Sequence, residues 1–207
     1  MEDAGASPEL IVLCDERGTP VGTAEKASSH HADTPLHLAF SCYVFDERGR
    51  FLATRRAEGK RVWPGVWTNS VCGHPGPGES LVEAIERRLE QELGMRARGF
   101  EVVLPDYRYR SPQFNGVVEN EFCPVVLARA VGEPRPDPSE VGAYRWVRWE
   151  EFVRAASADA EDAYSWWCKD QLPHLVGTEP VERYAMPERV AGEAPAAGAF
   201  EQPSTGT

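Results

Sequence analysis

The chain has 207 residues, with 33 Asp and Glu against 22 Lys and Arg and a net charge of −11. That length suits one domain with a substantial core, and the acidic balance argues against nucleic acid and anionic membranes as partners. No apolar run approaches 18 residues, residues 1–8 lack the basic start and hydrophobic stretch of a signal peptide, and the five cysteines show no paired spacing, so the expected setting is a reducing one, the cytoplasm.

Residues 1–8 read as a flexible leader. A short apolar strand is expected over 10–13, closed by a turn at Asp15-Glu16-Arg17-Gly18. Segments 36–45 and 50–56 form a hairpin around Asp46-Glu47-Arg48-Gly49, and a further strand covers 67–72. The run His74-Pro75-Gly76-Pro77-Gly78 cannot be helical, so a helix starts near Glu79 and stops at Gly94. Leu81, Ile85, Leu89 and Leu93 recur every four residues along it, with Val82 and Ala84 beside them, which makes one apolar stripe. Strands follow over 100–109, 117–131 and 143–149, with a proline-rich loop over 132–139, and helices over 149–156 and 164–175. From Gly177 the composition shifts to Ala, Gly, Pro and Glu, too poor in large apolar residues to offset the entropy of ordering. The division is therefore a leader (1–8), one domain (9–176) and a disordered tail (177–207), with no internal repeat.

Gly73, Glu79, Arg87, Leu89, Glu92 and Gly94 keep the spacing of a Nudix box. Nudix hydrolases fill the positions of 88, 91 and 92 with carboxylates and assemble several metal ions there. Here they read Arg88, Gln91 and Glu92. Arginine repels cations and offers a fork to phosphate oxygens, and the one carboxylate left suits a single Mg²⁺ shared with a diphosphate. The box is present without its hydrolytic metal cluster.

Other groups are legible from their chemistry. Glu119 and Glu121 stand two apart in a strand and share one face, where they repel unless a cation or proton lies between them. His30, His31, His37, His74 and His174 could supply nitrogen ligands, and mixed nitrogen and oxygen donors suit Zn²⁺ or Mn²⁺. Arg55, Arg56, Lys60 and Arg61 form a basic cluster in an acidic chain, a candidate anion site. Cys14, Cys42, Cys123 and Cys168 read as small buried hydrophobes, whereas Cys72 is set apart by Gly73-His74. Trp63, Trp67, Trp146 and Trp149 read as packing.

Taken with Thr54-Arg55-Arg56, the motif at 63–75, Tyr107-Arg108-Tyr109-Arg110, the run at 117–121 and that at 31–40, the altered box closely resembles type I isopentenyl-diphosphate isomerases, from about Leu10 to about Leu175. The resemblance implies an α/β (α+β) Nudix fold, a mixed β-sheet core sandwiched by helices. It implies interconversion of isopentenyl and dimethylallyl diphosphate through a tertiary carbocation, with Cys72 and Glu121 as the proton-transfer pair, Tyr109 bonded to Glu121, and Trp167 facing the cation, with Trp166 as its local competitor. By the same resemblance Lys26, Arg56, Lys60 and Arg88 grip the diphosphate and Glu92 shares Mg²⁺ with it. One Mn²⁺ or Zn²⁺ is held by His30, His37, His74, Glu119 and Glu121, with His31 a one-residue slip from His30. A hydrolase of nucleoside diphosphate derivatives and a non-catalytic diphosphate sensor are the alternatives. The expected partner is a small-molecule diphosphate, with no nucleic acid or membrane, and the chain is expected to act as a monomer or weak homodimer.

Overall fold

The computed structural model describes residues 8–188. In chain order the elements are β1 (Leu10–Cys14), β2 (Pro20–Glu25), α1 (Lys26–Ser29), β3 (His37–Leu38), β4 (Phe40–Phe45), β5 (Phe51–Arg56), β6 (Trp67–Thr68), β7 (Val71–Gly73) and α2 (Leu81–Leu93). The second half holds β8 (Arg96–Leu104), β9 (Arg108–Arg110), β10 (Asn120–Phe122), β11 (Val125–Val131), β12 (Val141–Val147), α3 (Trp149–Ser157), α4 (Trp166–Leu175) and α5 (Glu179–Tyr184). One sheet has the order β2-β1-β3-β10-β9, and the other runs β12-β5-β4-β11-β8, with β6 on β5 and β7 on β4. This is the α+β arrangement expected, a mixed sheet with helices on both faces.

The strand β4 shows why. All six of its side chains are buried, as in a sheet covered on both sides. Phe40, Cys42 and Val44 meet Ala84, Ile85, Leu89 and Leu93 of α2. Tyr43 and Phe45 point the other way, into a cluster with Trp149 and Phe152 of α3, Leu172 and Leu175 of α4, and Val181 and Tyr184 of α5. Helix α2 is bounded by a reciprocal Ser80–Glu83 capping box and by Gly94 at φ 55°, a left-handed closure suited to glycine.

Two expected strands are each divided between the sheets. The stretch 36–45 becomes β3 and β4, and 117–131 becomes β10 and β11, broken at Pro124, which has no amide hydrogen to give a ladder. The breaks lie side by side. β3 runs parallel to β10 in the first sheet and β4 parallel to β11 in the second. Ala39 N to Phe122 O (2.9 Å) and Ser41 N to Pro124 O (3.1 Å) bridge the junction.

The expected strand over 67–72 is also divided. Strands β4 and β5 pair at Phe45–Phe51, next to their turn, and then separate; β6 follows β5 and β7 follows β4. The corner Asn69-Ser70, fully buried, fills the gap. Ser70 Oγ donates to Leu52 O (2.7 Å) and accepts from Val44 N (2.8 Å), doing the work of the missing ladder. Residues 100–109 likewise separate into β8 and β9. Neither β2 nor α1 was legible in the sequence.

The chain past Gly177 departs from expectation. Helix α5 buries Val181 completely and Tyr184 almost so, and Arg129 donates to the backbone oxygens of Asp46, Arg183, Tyr184 and Met186 at 2.6–3.2 Å. Two apolar side chains and one buried guanidinium order this segment where composition suggested none. The expected leader up to residue 7 and the tail from 189 lie outside the described residues.

Candidate active site

The divided strands open a cavity of about 470 Å³ whose lining includes Lys26, His30, Arg56, Lys60, Asn69, Cys72, His74, Arg88, Glu92, Tyr109, Glu119, Glu121, Glu140 and Trp167. Its residues come from both sheets, from α2 and from the first turn of α4. Every residue to which the resemblance gave a role lies on this wall except His37, which is buried just behind it with no exposed surface; the competitors His31 and Trp166 do not.

At one end, His30, His37 and His74 present ring nitrogens within 4.8 Å of one another, and His37, Glu119 and Glu121 do the same. Parallel pairing sets His37 beside Glu121, and antiparallel pairing sets Tyr109 on Glu121's other side. Backbone carbonyls fix two of the imidazoles: His30 Nδ1 lies 2.9 Å from Lys26 O and His37 Nδ1 lies 2.9 Å from Pro35 O. A carbonyl only accepts, so each Nδ1 carries the hydrogen and each Nε2 turns a lone pair inward. His37 Nε2, His74 Nδ1 and Glu119 Oε2 are buried without a hydrogen-bond partner. Orphaned polar atoms within such a cluster of donors are costly unless a cation joins them, so the donor set fits a metal ion. His31 is turned away, its Nδ1 accepting from Asp33 N at 3.1 Å.

The charges agree. Burial, and then repulsion from His74, push the His37 imidazole down to about 4, so it stays neutral and able to ligate. Burial and the neighbouring Glu121 raise the Glu119 carboxyl. Burial works to raise Glu121 too, but His74, whose Nε2 lies 3.1 Å from Oε1, outweighs it with help from His37 and Tyr109 and holds that carboxyl well below the usual range.

Cys72 sits on β7, half-buried, and burial pushes its thiol up to about 11. The other four cysteines are buried, as expected. Trp167 is 5% exposed and bonded through Nε1 to Asn69 Oδ1 at 3.1 Å, with Trp63 set edge-on against it (5.5 Å, 89°). Trp166 instead packs on Tyr109 at 5.6 Å and does not line the cavity.

At the other end every basic group expected to grip a diphosphate already has partners. Arg88 pairs with Glu92 and lies 3.5 Å from Glu140, Lys60 pairs with Glu140, and Lys26 holds Glu9 at 2.8 Å. Arg56 donates to the carbonyls of Val62 and Trp63, both at 3.0 Å, and its guanidinium lies 5.6 Å from the centre of the Trp167 ring. The sequence reading missed Glu140, which follows the proline-rich loop with no spacing to mark it. Asn69 lies within the motif at 63–75, where nothing local gave it a role. The box residues Glu79 and Arg87 form a forked pair (2.7 and 2.8 Å) that also ties down Gly76 N and His74 O, so they shape the loop carrying His74. Gly73 is required by space, because a Cβ there would stand 2.9 Å from Arg88 Cγ and 3.0 Å from Phe40 Cζ.

Comparison with known proteins decides the family. The NUDIX domain matches residues 35–167. Proteins named isopentenyl-diphosphate Delta-isomerase are 56% identical over 162 residues in Frankia alni (78% of this chain, 83% of that protein). In Mycolicibacterium vanbaalenii another so named is 54% identical over 167 residues (81% and 91%). The chain belongs to the isopentenyl-diphosphate Delta-isomerase family of Nudix proteins. Among solved structures the DR0079 protein of Deinococcus radiodurans aligns with TM-score 0.62 at 19% identity, covering 80% of this chain and 98% of that one. The MutT protein of Methanosarcina mazei aligns with TM-score 0.51 at 19% identity (73% and 96%). At such identities these two speak for the fold alone. In this isomerase-family chain, Arg88 and Gln91 stand where the hydrolytic Nudix pattern has carboxylates.

Proposed function

We infer that the protein interconverts isopentenyl diphosphate and dimethylallyl diphosphate, moving a carbon–carbon double bond by adding a proton at one end of it and removing one from the carbon beyond its other end. The observation that carries the reading is a half-buried thiol, Cys72, and a buried carboxyl, Glu121, on the wall of one cavity that also holds the Trp167 ring. An unactivated alkene needs an acid and a base fixed on it together, since neither alone completes the shift. We assign those tasks to Cys72 and Glu121. Tyr109, across the ladder from Glu121, steadies its carboxyl. Protonation at carbon leaves a tertiary cation, and the π face of Trp167 stabilises it by about 2 kcal/mol or more in a desolvated site while its bulk keeps water away.

A Mn²⁺ or Zn²⁺ ion would be held by His30, His37, His74, Glu119 and Glu121, and its charge would set the proton affinity of the carboxyl beside it. The diphosphate falls to Lys26, Arg56, Lys60 and Arg88. Glu92 would share Mg²⁺ with it, in exchange for its present pairing with Arg88. An allylic diphosphate loses its leaving group readily, which makes a site without hydrolytic carboxylates chemically sensible and argues against the hydrolase alternative. A non-catalytic sensor would need neither the thiol nor the buried carboxyl. No helix among the described residues is long and apolar enough to cross a membrane. We propose a cytoplasmic enzyme acting as a monomer or weak homodimer on a small diphosphate, with neither nucleic acid nor membrane as partner.

Incubation with isopentenyl diphosphate and Mg²⁺ in deuterated water tests the reading. Deuterium in the methyl group of dimethylallyl diphosphate is the expected result. Release of inorganic phosphate with no allylic product, or binding with no exchange, would reject it.

A further inference from the structure

Asn69 lies at the buried corner between β6 and β7 with no exposed surface, and its side chain joins parts of the cavity wall that are distant in sequence. Its Nδ2 donates to Cys42 O (3.2 Å) and Val71 O (3.0 Å). Both amide hydrogens are thereby used on carbonyls, which decides which way the amide faces. The opposite end is the oxygen, and the indole of Trp167, which can only donate, agrees. Oδ1 receives Trp167 Nε1 at 3.1 Å, Cys72 Sγ at 3.1 Å and Thr68 Oγ1 at 2.9 Å.

We propose that Asn69 is a positioning residue, whose Oδ1 sets the Cys72 thiol and the Trp167 ring in fixed relation so that proton transfer and cation stabilisation occur on one substrate pose. This rests on the isomerase reading above. Three donors share an oxygen with two lone pairs, and the thiol is the weakest of them. Its direction is fixed, yet it leaves without orphaning Oδ1. Ser41 Oγ also lies 3.6 Å from the sulfur. Ser41 Oγ accepts from Gln171 Nε2 (2.9 Å), whose Oε1 takes the Tyr43 hydroxyl (2.8 Å), and lies 3.5 Å from Cys123 Sγ as well, so its one hydrogen is shared between two sulfurs. The Cys72 sulfur is thus held between the Asn69 oxygen and the Ser41 hydroxyl, which is the preorganisation a proton-transfer group needs.

Two variants test this: Asn69→Leu, of similar size but without polar atoms, and Asn69→Asp, which keeps an acceptor oxygen where Oδ1 stands. The ¹⁵N–¹H resonance of the Trp167 indole is identified by its absence from Trp167→Phe, and turnover is followed on isopentenyl diphosphate with Mg²⁺. Asn69→Leu should shift the Trp167 indole resonance and lower kcat about 100-fold, with KM held within about two-fold. Asn69→Asp should return the resonance toward its wild-type position and recover part of kcat. An unmoved resonance with unchanged kcat in Asn69→Leu overturns the proposal, as do equal losses in the two variants, which would mark a corner held through Nδ2 alone. If Asn69→Leu does not fold, Asn69→Asp decides by its indole resonance, retained in support or displaced in refutation; failure of both to fold makes Asn69 a purely structural residue. Absent turnover in the wild-type protein would instead count against the isomerase reading and leaves the indole test standing.

Discussion

The two ends of the cavity are prepared for their ligands in opposite ways. At the His30, His37, His74, Glu119 and Glu121 end, three buried polar atoms have no partner and two imidazoles are locked by backbone carbonyls with their lone pairs inward. At the Lys26, Arg56, Lys60 and Arg88 end, each cation is already matched by a carboxylate or a carbonyl. The first end costs stability until a cation arrives; the second, among the described residues, leaves only Arg88 Nε buried without a partner, and it must exchange partners to admit an anion. A resident ion suits the first arrangement and a substrate that enters and leaves suits the second. The thiol and the indole share the wall with both, and the carboxyl of Glu121 belongs to the first end itself.

The sharpest way to break this picture is to remove either proton-transfer group. Cys72→Ala and Glu121→Gln should each reduce deuterium incorporation into dimethylallyl diphosphate by about 10³-fold or more while the circular dichroism spectrum stays that of the wild type. Near-normal turnover in either would detach the middle of the cavity from the chemistry. The metal end comes next. Adding Mn²⁺ or Zn²⁺ to chelator-treated protein should raise its Tm by several degrees, because an ion that binds the folded state alone stabilises it. The rise should vanish in His37→Ala, where the pinned Nε2 is gone. An equal rise in both proteins would place the ion elsewhere. At the diphosphate end Glu140→Gln removes the carboxylate shared by Lys60 and Arg88. If Glu140 competes with the diphosphate, KM falls by about three- to ten-fold, most clearly at low salt. A raised KM would show that Glu140 instead holds those cations in place.

What the sequence made legible follows from how chemistry is written in it. Local patterns survived: the stripe of Leu81, Ile85, Leu89 and Leu93 is the buried face of α2 apart from Leu81, which packs from the edge of the cluster, and Gly94 closes the helix. The candidate site was legible only through resemblance, which named residues separated by up to 141 positions, and the fold gathers Lys26 and Trp167 on one wall. Less visible was anything decided by tertiary pairing. Nothing local in residues 36–45 or 117–131 says that each crosses from one sheet to the other, since their side chains are apolar on both sides of the break. Pro124 was the one cue. Glu140 and Asn69 were missed for a related reason: a polar residue in a loop or a strand looks ordinary until its partners are known. The order of α5 came from Arg129, some 50 residues upstream, which satisfies four carbonyls that composition cannot count.

The smallest expected effect concerns the loop that carries His74. Glu79 accepts two hydrogen bonds from Arg87 and one from Gly76 N, and Arg87, burial notwithstanding, holds its carboxyl below the ordinary 4.5. A carboxyl more acidic in the folded than in the unfolded state adds stability that is complete above the unfolded value and fades as pH falls through the folded one. The protein should therefore lose this contribution on acidification below about pH 4.5, and Glu79→Gln should remove it at neutral pH. The pair is partly exposed, so solvent screening limits the loss to about 1–2 kcal/mol. Urea unfolding of the two proteins across that range should give curves that converge as the pH drops. Curves separated by a constant amount would mean that Glu79 contributes through shape rather than charge. His74 would then owe its place to Gly73 and the turn after it.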